Sequence, residues 1–203
     1  MENELTAEEK RKKIFAEITD MLAGAAFPLM LMLIFGASIF GFAASMDELA
    51  LKIVIVVAGE VFLVAAYVIF GRQSGVTAMR RTVQHAKKRE LGADDFKARA
   101  YVGEYVIYKG FVIAAISCVP YILVQIIGGA APNTVCDFLL KFVFGWAYYP
   151  FTIGGLSGWF GLILVIPLVC VHAGAYVWGG TGEFKKQQKI TEMQVSDGKN
   201  KKK

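Results

Sequence analysis

The chain is poor in the residues that most often carry chemistry, with two histidines and three cysteines in 203 residues. An odd number of cysteines cannot close into a disulfide framework. Cys118, Cys136 and Cys170 stand in no Cys-x-x-Cys or Cys/His spacing, so no metal site is expected. The chain also lacks G-x-S-x-G, H-E-x-x-H, Walker A and dinucleotide-binding patterns, which removes the common signatures of hydrolases, metalloproteases and nucleotide enzymes. No cofactor is expected, and the reading is non-enzymatic. Charge is scarce too: Asp, Glu, Lys and Arg make up 19% of the residues and are nearly missing from four long stretches.

Those stretches are what the chain has instead. Apolar runs cover residues 21–42, 51–70, 111–127 and 156–178, in a sequence that is 56% hydrophobic with a mean hydropathy of +0.50. A hydrocarbon core about 30 Å thick needs about 20 helical residues, and a helix satisfies its own backbone groups in lipid. Each run therefore reads as a transmembrane helix. Of the 22 Lys and Arg residues, only Lys52 and Lys141 fall at the connections after the first and third runs. The rest precede the first run, fill the loop after the second or follow the fourth, which places both termini and that loop on the cytoplasmic face. The net charge of +5 belongs beside anionic headgroups and calls for no nucleic acid.

The expected fold is all-α: a polytopic membrane protein of four transmembrane helices arranged as two hairpins, with a cytoplasmic helical hairpin and an outer interfacial or re-entrant helix. Its divisions are a cytoplasmic N-terminal amphipathic helix at 1–20, a first transmembrane hairpin at 21–70 and a basic cytoplasmic helical loop at 71–110. A second transmembrane hairpin follows at 111–180, then a disordered lysine-rich cytoplasmic tail at 181–203. In the N-terminal helix Thr6 and Glu9 have capping-box spacing, and Ile14, Phe15, Ile18 and Leu22 share one side, so it is expected to lie along the inner interface.

The basic loop divides at Leu91 and Gly92. Upstream, a helix continues from the second span; downstream, Asp94 or Asp95 can cap a second helix that runs into the third. Arg80, Arg81, Lys87, Lys88 and Arg89 are the residues expected to contact anionic headgroups. On the outer side, 135–151 is aromatic and apolar apart from Asp137 and Lys141 at i, i+4. The charged pair should face water and the aromatics the outer leaflet.

Glu60, near the middle of the second span, is the most costly residue to place in lipid. An ionised side chain at a helix centre costs roughly 2.5 to 3.5 kcal/mol, so Glu60 should face the bundle interior as a neutral acid. His172, in the fourth span, should lie within about 6 Å of its level by helical rise. A carboxyl and an imidazole at one depth could share a proton, and with Gln125 in the third span they form the candidate proton or ion pathway. The small residues Gly154, Gly158, Gly161 and Gly174 permit close helix packing against a second copy or another membrane protein. Pro28, Pro120 and Pro167 place a possible kink in three of the four spans.

Two functions follow as expectations. The first is a non-enzymatic accessory or assembly protein that packs with itself or another membrane subunit. The second is a small proton- or cation-coupled transporter or channel that uses Glu60 and His172. A weaker third is a lipid-handling protein. The expected location is a bacterial plasma membrane.

Overall fold

The computed structural model describes residues 6–93 and 95–200; Asp94 and the terminal lysines 201–203 lie outside that range. Among the described residues the chain is all-helical with no strand, and four helices are long and apolar enough to cross a membrane. In chain order the elements are α1 (Ala7–Ser45), α2 (Leu49–Glu90), the single turn α3 (Phe96–Arg99), α4 (Ile107–Ala130), α5 (Thr134–Phe138), a π-helical turn (Leu139–Val143), α6 (Gly145–Thr152), a 3-10 turn (Gly158–Phe160) and α7 (Gly161–Asn200). Residues 6, 72–106 and 179–200 gather at one end of the bundle, here termed the terminal end. The short turn at 46–48 and the α5 to α6 segment lie at the other, the hairpin end.

The Thr6–Glu9 capping box forms, with the Thr6 hydroxyl accepting from the Glu9 N–H and the Glu9 carboxylate accepting from the Thr6 N–H at 3.0 Å. The helix it starts is not a separate element. It continues without a break into the first apolar run, because no glycine or proline stands at the junction and the Thr19 hydroxyl bonds back to the Phe15 carbonyl at 2.8 Å. Its two faces divide cleanly. Glu9, Glu17 and Asp20 turn toward the molecule and bind Arg99, Lys109 and Arg81, while Ile14, Phe15 and Ile18 are exposed on the other side.

α2 continues past its apolar part to Glu90, as expected, and stops where Gly92 takes φ +67, a left-handed conformation that costs glycine little. Among the described residues the expected second helix of a cytoplasmic hairpin is reduced to the single turn α3. Asp95 caps α3, accepting from the Lys97 N–H at 2.9 Å, but α3 ends after one turn because Tyr101 and Gly103 adopt φ of 58 and +74. The Gly103 N–H, freed from any helix, donates to Glu17 at 3.1 Å. α2 instead pairs with α7, which the sequence predicts to dissolve into a disordered tail beyond residue 180. α7 continues as helix to Asn200, held against α2 by Arg80 on Glu183 at 2.9 Å and extended by Gln187 on Glu183 at 3.0 Å. The Arg80 guanidinium also holds the Glu183 carboxyl below the usual carboxylate range.

The α2 and α7 interface is the most extensive in the molecule and is built on glycine. A Cβ at Gly75 would strike the Tyr176 carbonyl, one at Gly179 the Arg72 carbonyl, and one at Gly71 would stand 2.6 Å from the His172 carbonyl. The two backbones therefore run in contact, which only glycine permits.

At the hairpin end, 135–151 does not form one interfacial helix. It breaks into α5, the π turn and α6, and folds back among the long helices, with the Val143 carbonyl and the Gly145 backbone against Gly36 of α1. Phe138 and Phe142 remain outside, stacked at 5.2 Å, and Asp137 pairs with Lys141 at 2.6 Å as expected. Phe144 and Trp146 are buried in the core instead of lying in the outer leaflet, because the wider π turn rotates them inward. There they join Met32, Leu63, Tyr67, Cys118 and Tyr121.

Candidate functional site

Glu60 faces the interior, on the α2 stripe that carries the buried residues Val56, Leu63 and Tyr67 at i−4, i+3 and i+7. Its Oε1 is fully buried and has no hydrogen-bond partner among the described residues. Nine further side-chain atoms share that condition among the described residues, both His172 nitrogens among them, and three of the nine belong to the hairpin half of the bundle. They are the Gln125 Oε1, the Tyr121 hydroxyl and the Trp146 Nε1, on side chains that are 4%, 0% and 1% exposed. Helix register brings Glu60 and Gln125 to one depth, with Tyr121 one turn, about 6 Å, nearer the terminal end. Tyr67 bonds Ser117 of α4 at 3.2 Å, so Glu60, seven residues toward the hairpin end, stands about 10 Å along the axis, level with residues 124–125 of α4. On α1, Ile39 packs on Gly59 while Gly36, one turn away, packs on Gly145, next to Trp146. Tyr121 and Trp146 are in ring contact at 5.3 Å.

This cluster lies beside irregular backbone. The π turn and the break before α6 place main-chain carbonyls inside the bundle, which is tolerated at membrane depth only where protein or a polar site surrounds them. Chemically the four groups offer a carboxyl able to hold or release a proton, an amide oxygen, a phenol and an indole N–H. A polar group left unpaired in an apolar interior costs roughly 2 to 7 kcal/mol by transfer scales.

His172 does not join them. It is fully buried at the α2 and α7 crossing, edge-on to Tyr67 at 5.6 Å and beside the Tyr67 main chain, two turns toward the terminal end from Glu60. The expected near-coincidence in level counts from the ends of the apolar runs. The true register is set by glycine contacts at 71, 75 and 179, which hydropathy does not reveal.

The basic residues expected to meet headgroups are largely engaged within the protein. Arg80 pairs with Glu183, Arg81 with Asp20 at 2.7 Å, Lys88 with Asp95 at 2.6 Å and Arg89 with Glu104 at 2.6 Å. Of the five, Lys87 alone has no ion-pair partner among the described residues. Arg89 also donates to the Ala98 carbonyl at 2.7 Å and lies over the Tyr101 ring. The basic loop is thus a set of internal clamps on α1, α3 and α7. The Lys88 ammonium holds the Asp95 carboxyl below its ordinary range.

Most of the glycines expected to face a partner are likewise used internally. Gly161 meets the Ala147 carbonyl and the Tyr121 hydroxyl, and Gly158 stands against the Tyr148 ring. Gly154 and Gly158 lie in the turn and 3-10 segment before α7, so their GxxxG spacing presents no helix face. Gly174 is the exception, exposed and with nothing within 4 Å of where a Cβ would stand.

The sequence reading missed Tyr121, Trp146, Glu17 and Lys109. Trp146 sat in a segment read as interfacial. A usable signal did exist for Glu17, since Glu9, Glu17 and Asp20 recur at i, i+8 and i+11, on one helix face opposite the apolar stripe. No protein-family model, curated protein or solved structure matches this chain.

Proposed function

We propose that the protein is a small proton- or cation-coupled transporter or channel whose binding site is the Glu60, Tyr121, Gln125 and Trp146 cluster. The observation that carries this reading is a carboxyl and three unpartnered polar side chains buried within about one helical turn of depth, beside a broken helix. Discontinuous helices beside ionisable groups are how transporters build sites at membrane depth. Its terminal end takes the cytoplasmic face because that end gathers nearly all the Lys and Arg.

Glu60→Gln keeps the shape and most hydrogen-bonding capacity while removing titration. In proteoliposomes loaded with a pH-sensitive dye, the wild-type chain is expected to dissipate a proton gradient and E60Q to lose that flux at least about tenfold, with an unchanged elution volume in detergent. Full flux in E60Q, or none in the wild type under proton and sodium gradients, defeats the proposal. His172→Gln serves as the contrast and should retain flux.

A second reading, a non-enzymatic accessory subunit packing with itself or another membrane protein, draws support from α1. Phe15 is 74% exposed and lies six residues before the first apolar run, about 9 Å below it on a continuous helix. The headgroup layer is only about 5 to 7 Å deep on each side, so Phe15 and Ile14 form an apolar patch below the lipid. Phe15→Asp with Ile14→Asp should dissociate a native complex in mild detergent and leave the monomer folded. An unchanged native mass in the double variant counts against this surface.

A further inference from the structure

At the terminal end α1, α2 and α4 diverge around a cavity of about 490 Å³. Its lining changes character along the helix axes. Phe27, Phe70 and Ile113 form an apolar half inside the spans, with the two phenylalanine rings 4.2 Å apart. Gln73, Ser74, Thr77, Arg81, Asp20 and Lys109 form a polar half just outside them. Asp20 and Lys109 stand one and two residues beyond the apolar runs of α1 and α4, at headgroup depth.

The charges in this cavity are of both signs. Lys109 is 3% exposed and forms an ion pair with Glu17 at 2.6 Å, while its ammonium makes no hydrogen bond of good geometry among the described residues, so its N–H donors remain available. Arg81 gives one N–H to Asp20 Oδ1 at 2.7 Å, leaving four guanidinium donors. Asp20 in turn keeps a second carboxylate oxygen. Two cations with spare donors and one carboxylate with a spare acceptor match a ligand that carries a phosphate and an ammonium together. A purely anionic headgroup would set its charge against Asp20.

We propose that this cavity binds a zwitterionic phospholipid of the inner leaflet: its phosphodiester on Arg81 and Lys109, its ammonium on Asp20, and the start of an acyl chain against Phe27 and Phe70. The volume suits a headgroup with its first carbons, within the roughly 300 to 1,000 Å³ of small-molecule sites. The leaflet assignment rests on the sidedness proposed above. The cavity itself does not, so binding in micelles tests the site apart from orientation and apart from transport.

The test is native mass spectrometry of the full chain in detergent, titrated separately with phosphatidylethanolamine, phosphatidylglycerol and inorganic phosphate. The wild type should hold phosphatidylethanolamine about fivefold more tightly than phosphatidylglycerol, the worth of one partly exposed ion pair, and should not retain phosphate alone. Asp20→Asn should reverse the lipid order. Thr77→Phe, at an exposed wall position, should fill the cavity and lower phosphatidylethanolamine occupancy at least about fivefold without altering the thermal transition. Equal retention of both lipids, tighter phosphatidylglycerol binding by the wild type, binding of phosphate alone as strong as lipid, or undiminished binding in T77F would each overturn the proposal.

Discussion

Gly75→Ala is expected to be among the most damaging single substitutions in this protein, although it adds one methyl group. The added Cβ would strike the Tyr176 carbonyl, a main-chain atom of α7 that cannot move aside as a side-chain tip can. Overpacking of a tight core costs about 1 to 3 kcal/mol where side chains can adjust, and here backbone meets backbone, so the upper end applies. The informative control is Gly174→Ala, on the same interface helix but with nothing within 4 Å. Removing glycine from an open helical position gains about 0.5 to 1 kcal/mol. In a thermal melt in one detergent, followed by circular dichroism, G75A should fall well below the wild type and G174A match or exceed it. Equal transitions for the two variants would mean that α2 and α7 do not meet through Gly75.

Lys109→Met should rank beside it, for an electrostatic reason. The Lys109 side chain is 4% exposed and that of Glu17 is 18% exposed, and the pair is 2.6 Å apart. Removing one member of a buried pair costs about 3 to 5 kcal/mol, because the remaining charge is stranded. Glu17 retains some contact with water, so the lower figure is the better expectation. Its carboxylate also accepts from the Gly103 N–H, which gives a clean double-mutant design. E17Q with K109M should recover most of the loss, since no charge is then left buried. If the double variant melts no higher than K109M, the pair is not what joins α1 to α4.

These two sites show what hydropathy could and could not reveal. The four long apolar helices were legible because each holds an almost uncharged apolar run, and the burial of the Glu60 Oε1 was legible because a carboxyl facing lipid would be too costly. The neighbours of Glu60 were not. Trp146 enters the core, in ring contact with Tyr121, only because a π turn rotates residues that, on a regular helix, would divide into a wet face and a lipid face. His172 was misplaced because apolar runs have soft ends, whereas the register of α2 on α7 is fixed by where glycines allow carbonyls to approach. The tail misled for a related reason. Its lysine-rich composition resembles a solvated coil, yet one acid, Glu183, turned toward Arg80 binds it to α2.

The same backbone contact has a mechanical consequence. Side chains in an ordinary interface can change rotamer and let two helices slide or rock, but carbonyls resting on glycine backbones offer no such freedom. α2 and α7 therefore form one stiff strut, with α2 alone 42 residues or about 63 Å long. It runs from the hairpin end, past the Glu60 level, into the loop at the far end. α1 is joined to the broken α5 to α6 segment by the same kind of contact, with the Val143 carbonyl on Gly36 and the Gly36 carbonyl on Gly145, so the walls of the polar cluster are held backbone to backbone on that side as well.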